Sequence, residues 1–319
     1  ANIMTPFQLS KCAQSLSINN DNISIKVLNE NECTQMGMHS YLSVGAASDN
    51  SPHFIHINLV NNNSNNNNKS KLVLIGKGVT FDSGGYNLKT GSGSSIEFMK
   101  YDMSGSACVI GTFATLSNYF KLYPDIASKI LSKYDIHGCV AACENMISGK
   151  PNALHPGDIV TSAEGLTIEV NNTDAEGRLT LVDAIWYAKN KIGCNTSNDI
   201  IIDLATLTGA MKIATGNKIA GLFSNNDELS DNLLNSGYYS GDRLWRMPLF
   251  DDNNSIDKEN SYMGLLDSDI ADIKNAASTP PGAITAALFL KKFVDIGNTD
   301  IQWAHLDIAG PVWSDAKMY

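Results

Sequence analysis

Apolar residues recur along the chain in two rhythms. Short, nearly continuous apolar runs occupy 23–28 (ISIKVL), 54–60, 71–76, 135–142, 199–205 (DIIIDLA) and 301–307. Such runs predict strands covered on both faces. Between them lie longer stretches with helical spacing. Residues 106–119 are rich in apolar side chains, 179–191 sets Leu181, Ala184, Ile185 and Ala188 on one face, and 283–294 is similar. This alternation predicts an α/β fold, with a mixed, mostly parallel central sheet sandwiched by helices. Residues 1–50 read as a lead-in to one domain spanning 1–319, and no internal repeat is evident. The polar tract 61–70, with NNNSNNNN at 61–68, has no apolar side chain to bury. It predicts a solvated insertion between two strands, without chemistry of its own.

Composition narrows the class. Hydrophobic content of 43% and 25 glycines fit a soluble globular protein. No segment reaches the roughly 18 apolar residues that a membrane span requires, and the opening ANIMTPFQLSKCAQ lacks the pattern of a secretory signal. The net charge of −10 disfavours nucleic acid, whose phosphates need Lys and Arg, and suits ligands carrying a free α-ammonium group. The six scattered cysteines complete neither a disulfide framework nor a zinc site. They predict free thiols in a reducing, cytoplasmic setting.

Three segments could carry chemistry. NTDAEGRL at 172–179 spaces Asp174, Glu176 and Arg178 by two, so they project the same way from an extended strand end or loop. A surface salt-bridge patch would share this pattern. GKGVTFDSGGYNLK at 76–89 follows a predicted strand, where α/β sheets place their ligands, and supplies Lys77, Asp82 and Lys89. It lacks the order of a phosphate-binding loop. FMKYDMSGSA at 98–107 places Asp102 before a helix, where an N-cap is the plainer explanation. If Asp82, Asp102, Asp174 and Glu176 converged without cations, each would raise the pKa of the others. Two divalent ions would remove that repulsion, and carboxylates bridging two metals are a recurring hydrolytic device. The histidines show no HExxH spacing, and no GxSxG elbow is present. His305, in the strand-like AHLDIAG, reads as a satisfied core residue.

GKGVTFDSGGYNLK, MKYDMSG, ENMISGKPNALHPGDIVTSAEGLTIEVNNTDAEGRL, DLATLTGA, ADIKN and WAHLDIAG, in this order, closely resemble the leucyl aminopeptidases of the M17 family. The resemblance covers nearly the whole chain. It implies a metalloexopeptidase that releases N-terminal, Leu-like residues from peptides. Lys77, Asp82, Asp102 and Glu176 match the ligands of a tight metal site, and Asp82, Asp174 and Glu176 those of an exchangeable one. Zn²⁺ or Mn²⁺ is implied, with Co²⁺ or Mg²⁺ also admitted at the exchangeable site. Lys89 matches the catalytic lysine, and Arg178 the arginine that holds a bicarbonate, with backbone N–H groups around Gly177 and Leu179 assisting. Met99, Thr206, Gly209, Ala309 and Val312 match the pocket for the first side chain, and Leu207 a carbonyl offered to substrate. The resemblance also implies a homohexamer. It leads one to expect a separate N-terminal domain before this region and a short segment after it. Pro311 and NAASTPPGA (275–283) depart from common versions near the pocket. Two other classes compete: a nonenzymatic, DNA-binding module on the same scaffold, and a two-metal phosphatase or nuclease. The negative charge and the complete ligand set weigh against the first, and the scarcity of phosphate-clamping Arg and Lys against the second.

Overall fold

The computed structural model describes residues 1–18, 20–59, 69–90, 94–250, 261–297 and 300–313. The Asn-rich tract 61–68 lies outside them. The helices are α1 (Pro6–Ser15), α2 (Glu30–Gln35), α3 (His39–Gly45), α4 (Ser104–Leu122), α5 (Pro124–Leu131), α6 (Gly177–Tyr187), α7 (Gly209–Thr215), α8 (Asp227–Ser240) and α9 (Gly282–Asp295). The strands are β1 (Ile23–Leu28), β2 (His53–Leu59), β3 (Ser70–Asp82), β4 (Tyr134–Asn145), β5 (Asp158–Thr161), β6 (Thr167–Val170), β7 (Ile200–Ala205), β8 (Ala220–Ser224), β9 (Leu244–Arg246), β10 (Ile273–Lys274) and β11 (Gln302–Asp307). Over the described residues each predicted apolar run falls in a strand, and the predicted helical stretches fall in α4, in α6 with the π-helical turn Ala188–Ile192 that follows it, and in α9.

Eight strands form one mixed sheet in the order β1-β2-β4-β3-β7-β11-β8-β9. Its centre, β4-β3-β7-β11, is parallel. The antiparallel pairings lie outside it, at β1–β2, β2–β4 and β11–β8. Helices cover both faces. Buried residues of α3, α6 and α9 pack on one face with Val73, Ile75, Ile201 and Trp303. Those of α1, α4 and α5 pack on the other with Ile55, Ile57 and Val140. The lead-in is built into this body: β1 pairs along its whole length with β2, and Tyr41 of α3 is fully buried.

Helix α6 departs from the predicted single apolar face. Leu179, Leu181, Val182, Asp183, Ala184 and Ile185 are all buried, because α6 is enclosed by α3, α9 and the sheet. A smaller sheet, β10-β6-β5, stands apart from the large one. It brings the end of β6 and the end of β10 together just before α6.

Candidate functional site

The site grows from the carboxyl ends of the parallel strands. In β3 the two-residue alternation carries Val73 and Ile75 toward α6 and sets Lys77 in the same row. A regular strand would turn Asp82 to the opposite face. Between Val79 and Asp82, however, two residues of β3, Thr80 and Phe81, run opposite one of β4, Glu144. This bulge brings Asp82 to the same side as Lys77. The chain then reverses through Gly84 (φ 88°) and Gly85 (φ 63°), a left-handed pair open to glycine. The Lys89 N–H donates to Ser83 O at 2.9 Å, which folds Lys89 back over Asp82.

Asp102 enters at the end of a short 3-10 helix, Ile96–Tyr101. It does not cap α4, whose N-cap is Met103 with no side-chain bond. Instead its Oδ1 accepts from Lys77 Nζ at 2.8 Å and Thr206 Oγ1 at 2.6 Å. The segment from Asn172 to Glu176 is a turn rather than an extended end, and Glu176 is already helical at the N-cap of α6. Asp174 and Glu176 therefore converge through a turn and a helix start, not through strand alternation. Asn275 braces the turn, its Nδ2 donating to Asn172 O at 2.7 Å. Thr173 Oγ1 ties it to the glycine loop by donating to Gly84 O at 2.7 Å.

These elements gather a dense cluster of charge. Lys77 Nζ lies 2.8 Å from Glu176 Oε1. Lys89 Nζ lies 2.9 Å from Asp82 Oδ2 and 2.5 Å from Asp174 Oδ1. Asp82, Asp174 and Glu176 each offer an oxygen within 4.8 Å of the others. Asp82 Oδ1 accepts from Gly84 N and Asn145 Nδ2, both at 2.8 Å. Asp102 Oδ2, Asp174 Oδ1 and Glu176 Oε1 are buried without a hydrogen-bond partner. The latter two have lysine ammoniums at ion-pair distance, but outside hydrogen-bond geometry.

The electrostatics follow from this crowding. Burial and then Glu176 push Asp82 up to about 6, against Lys89 and Lys77. Burial likewise raises Asp102 and Asp174, although Lys77 and Lys89 respectively oppose it. Glu176 is held low, because Lys77 and Lys89 outweigh its burial. Burial alone would lower Lys77 and Lys89, but the surrounding carboxylates win and raise both. Arg178 is brought down to about 10 by burial, with Glu176 and Asp307 resisting. Its Nη1 donates to Asn275 O at 2.7 Å, and its Nε is buried without a partner. Such a set of hard oxygen donors with unfilled bonding capacity fits one or more divalent cations.

One cavity of about 510 Å³ holds the cluster. Lys77, Asp82, Lys89, Asp102, Asp174, Glu176 and Arg178 line it. So do Met99, Thr206, Leu207, Gly209, Ala309 and Val312. Gly177 and Leu179 do not. The Leu179 N–H donates to Glu176 O at 3.0 Å, so it closes the first turn of α6 rather than facing an anion. Gly177 is held close to Lys77: a Cβ there would lie 2.6 Å from Lys77 Cε.

Sequence reasoning missed several supporting residues. Asn145 holds Asp82. Asp307 organises the loops that follow β7 and β11, accepting from Thr208 Oγ1 at 2.6 Å and from Leu207 N and Ala309 N at 3.2 Å. Both stand at strand ends, as do the residues that were found, and that position is the signal that could have exposed them. His305 departs from expectation. It is fully buried and its Nδ1 meets Asp203 Oδ1 at 2.5 Å, but its Nε2 has no partner.

Comparison with known proteins agrees with this fold. The chain belongs to the cytosol aminopeptidase family: the model of that family's catalytic domain matches residues 1–319. Leucine aminopeptidase 1 of Arabidopsis thaliana is 48% identical over 318 residues, which are 99% of this chain and 55% of that protein. A probable cytosol aminopeptidase of Prochlorococcus marinus (strain CCMP1986) is 47% identical, over 98% of this chain and 57% of that one. The solved structure of a tomato leucine aminopeptidase mutant superposes with a TM-score of 0.81 at 44% identity, covering 99% of this chain and 54% of the other. The chain thus spans about half the length of the curated relatives it matches. Some relatives are named cytosolic and others chloroplastic. No described helix is long and apolar enough to cross a membrane.

Proposed function

We propose that this chain is the catalytic part of a dinuclear metal-dependent aminopeptidase, acting on peptides with a free N-terminus and preferring Leu-like first residues. The observation that carries this reading is the convergence of Asp82, Asp174 and Glu176, oxygens within 4.8 Å, beside Lys77 and Lys89. Asp82, Asp102 and Glu176 would hold one cation, joined by Lys77 as the neutral amine that the cation's charge would favour, and Asp82, Asp174 and Glu176 the other, with Asp82 and Glu176 shared. Zn²⁺ or Mn²⁺ suits these donors, with Co²⁺ or Mg²⁺ admitted at the second position. When bound, the ions supply Lewis acidity and a water ionised near neutral pH.

The chain's own groups do the remaining work. Lys89, whose Nζ lies beside Asp82 and Asp174, would present N–H donors where a scissile carbonyl develops negative charge. Among the described residues no histidine lines the cavity to serve as general base. The unpartnered Nε of Arg178 is suited to hold an anion, and bicarbonate there would fill that role. A substrate's free α-amine would add a neutral nitrogen donor to the second cation. Met99, Thr206, Gly209, Ala309 and Val312 offer a compact, mainly apolar wall for its first side chain. Leu207 and Thr208 are held in place from beneath by Asp307. Assembly as a homohexamer and a cytoplasmic location are part of the same proposal.

The test is hydrolysis of leucine p-nitroanilide by the chain loaded with Mn²⁺ or Zn²⁺, with N-acetyl-leucine p-nitroanilide as control. Cleavage of the free-amine substrate alone is expected. Equal cleavage of both, or of neither, would reject the proposal.

A further inference from the structure

The lysines that line the cavity are held differently. Lys77 and Lys89 each meet two carboxylates. Lys212 lines the same cavity, and among the described residues it pairs with no acid. The seating of α7 explains its position. The Met211 N–H donates to Thr208 Oγ1 at 3.2 Å and starts the helix. The Met211 side chain is fully buried against Gly221, where a Cβ would collide with its sulfur. Ala210 turns toward α9, its Cβ 3.6 Å from where a Cβ on Gly282 would stand. Gly209 and Lys212 lie three apart and share the face that remains. Gly209 belongs to the cavity wall, and Lys212 stands one turn farther out, exposed at the rim. Metal loading would make an unpaired cation there count for more. Two divalent ions would balance the four carboxylates, and Lys89, Arg178 and Lys212 would then leave the cavity positive. A cleft lined by one sign of charge draws in the opposite sign.

We infer that Lys212 receives a carboxylate of the substrate, so that a peptide carrying one close to the scissile bond is favoured over its neutral counterpart. The inference rests on the aminopeptidase reading and narrows its substrate class. The carboxylate has two sources, the side chain of an acidic first residue and the C-terminus of a dipeptide. Both present the same group, and a lysine ammonium on its flexible stem meets either as a point charge.

The experiment compares kcat/KM within two substrate pairs on the metal-loaded chain. Glutamate p-nitroanilide against glutamine p-nitroanilide reads the first source, and Leu-Gly against Leu-Gly amide reads the second. Leucine p-nitroanilide, which has no carboxylate, is the reference. The parent should favour the carboxylate member of at least one pair about threefold. Lys212→Met keeps the stem and should abolish that preference through KM, with leucine p-nitroanilide turnover within about twofold of the parent. Lys212→Arg should retain the preference, and Lys212→Glu should reverse it. Salt at about 1 M should erase it in the parent, a measurement that needs no variant. Loss in the glutamate pair assigns the contact to the first side chain, and loss in the Leu-Gly pair to the C-terminus. No preference in the parent, or one that survives Lys212→Met, would overturn the inference. An equal loss on every substrate, the reference included, would also overturn it, because Lys212 would then only brace α7. A parent chain inert toward leucine p-nitroanilide would sink the aminopeptidase reading itself, and this inference with it.

Discussion

Two sets of buried acids in this protein are treated in opposite ways. Asp183, Asp199 and Asp307 are saturated by the fold. Asp183 accepts from Tyr41 N and Ala163 N, both at 2.8 Å. Asp199 takes the N–H groups of Lys71, Asn195 and Thr196. Asp307 holds Leu207, Thr208 and Ala309. The cavity set, Asp82, Asp102, Asp174 and Glu176, is packed carboxylate against carboxylate, with oxygens left over. The first set ties distant segments together. The second is a local conflict that a cation relieves, and such conflicts mark sites of function.

The sharpest way to break the comparison is to remove a member of the cavity set. Asp174→Ala should cost at least about a hundredfold in leucine p-nitroanilide turnover. Its melting temperature should change little, since Asp174 is the most exposed of the four. Unchanged turnover would place Asp174 outside the chemistry. Removing a saturated acid should do the reverse. Asp183→Ala leaves two buried N–H groups without an acceptor and should cost about 2–4 kcal/mol of stability by urea titration. A variant as stable as the parent would contradict the role given to Asp183.

Metal removal should come next in size. Dialysis against a chelator restores the carboxylate conflict. Readdition of Mn²⁺ or Zn²⁺ at about a hundred times its Kd should raise stability by about 2.7 kcal/mol, read by thermal melt. Asp102→Asn should reduce that gain, whereas Asp199→Asn should leave it unchanged. Equal gains in both variants would dissolve the distinction between the two sets.

The smallest effect is expected at a half-buried histidine pair, His56 and His137, whose Nε2 and Nδ1 lie 3.1 Å apart. Burial, aided by Lys26, lowers His56 from 6.5 to about 4. Burial, then His56 and Lys71, lowers His137 to about 3. Both folded values lie below the unfolded one, so the unfolded chain binds more protons in this window. The pair's contribution is therefore present above about pH 6.5 and is lost as pH falls through 4 and then 3. His137→Gln should flatten the acid side of the melting curve relative to the parent. Parallel curves would show that the pair is not linked to folding.

Much was legible in the chain itself. Apolar runs of strand length marked six strands of the large sheet, because strands buried on both faces must be apolar throughout. The short strands β5, β6, β8, β9 and β10 escaped notice, because two to five residues carry too little periodicity. The charged residues Lys77, Asp82, Asp102, Asp174 and Glu176 could be picked out by type and by their place near strand ends. Their geometry could not. Asp82 reaches the cavity through a bulge, which depends on how β3 pairs with β4. Glu176 reaches it from a helix start, where an extended segment had been expected. The contact of Phe98 with Trp313 was invisible, since the two are far apart in sequence and only packing brings their rings together. Local sequence determines local rhythm and residue chemistry. Which acids the fold satisfies, and which it leaves crowded, is decided by long-range pairing and burial, and these exist only once the chain has closed on itself.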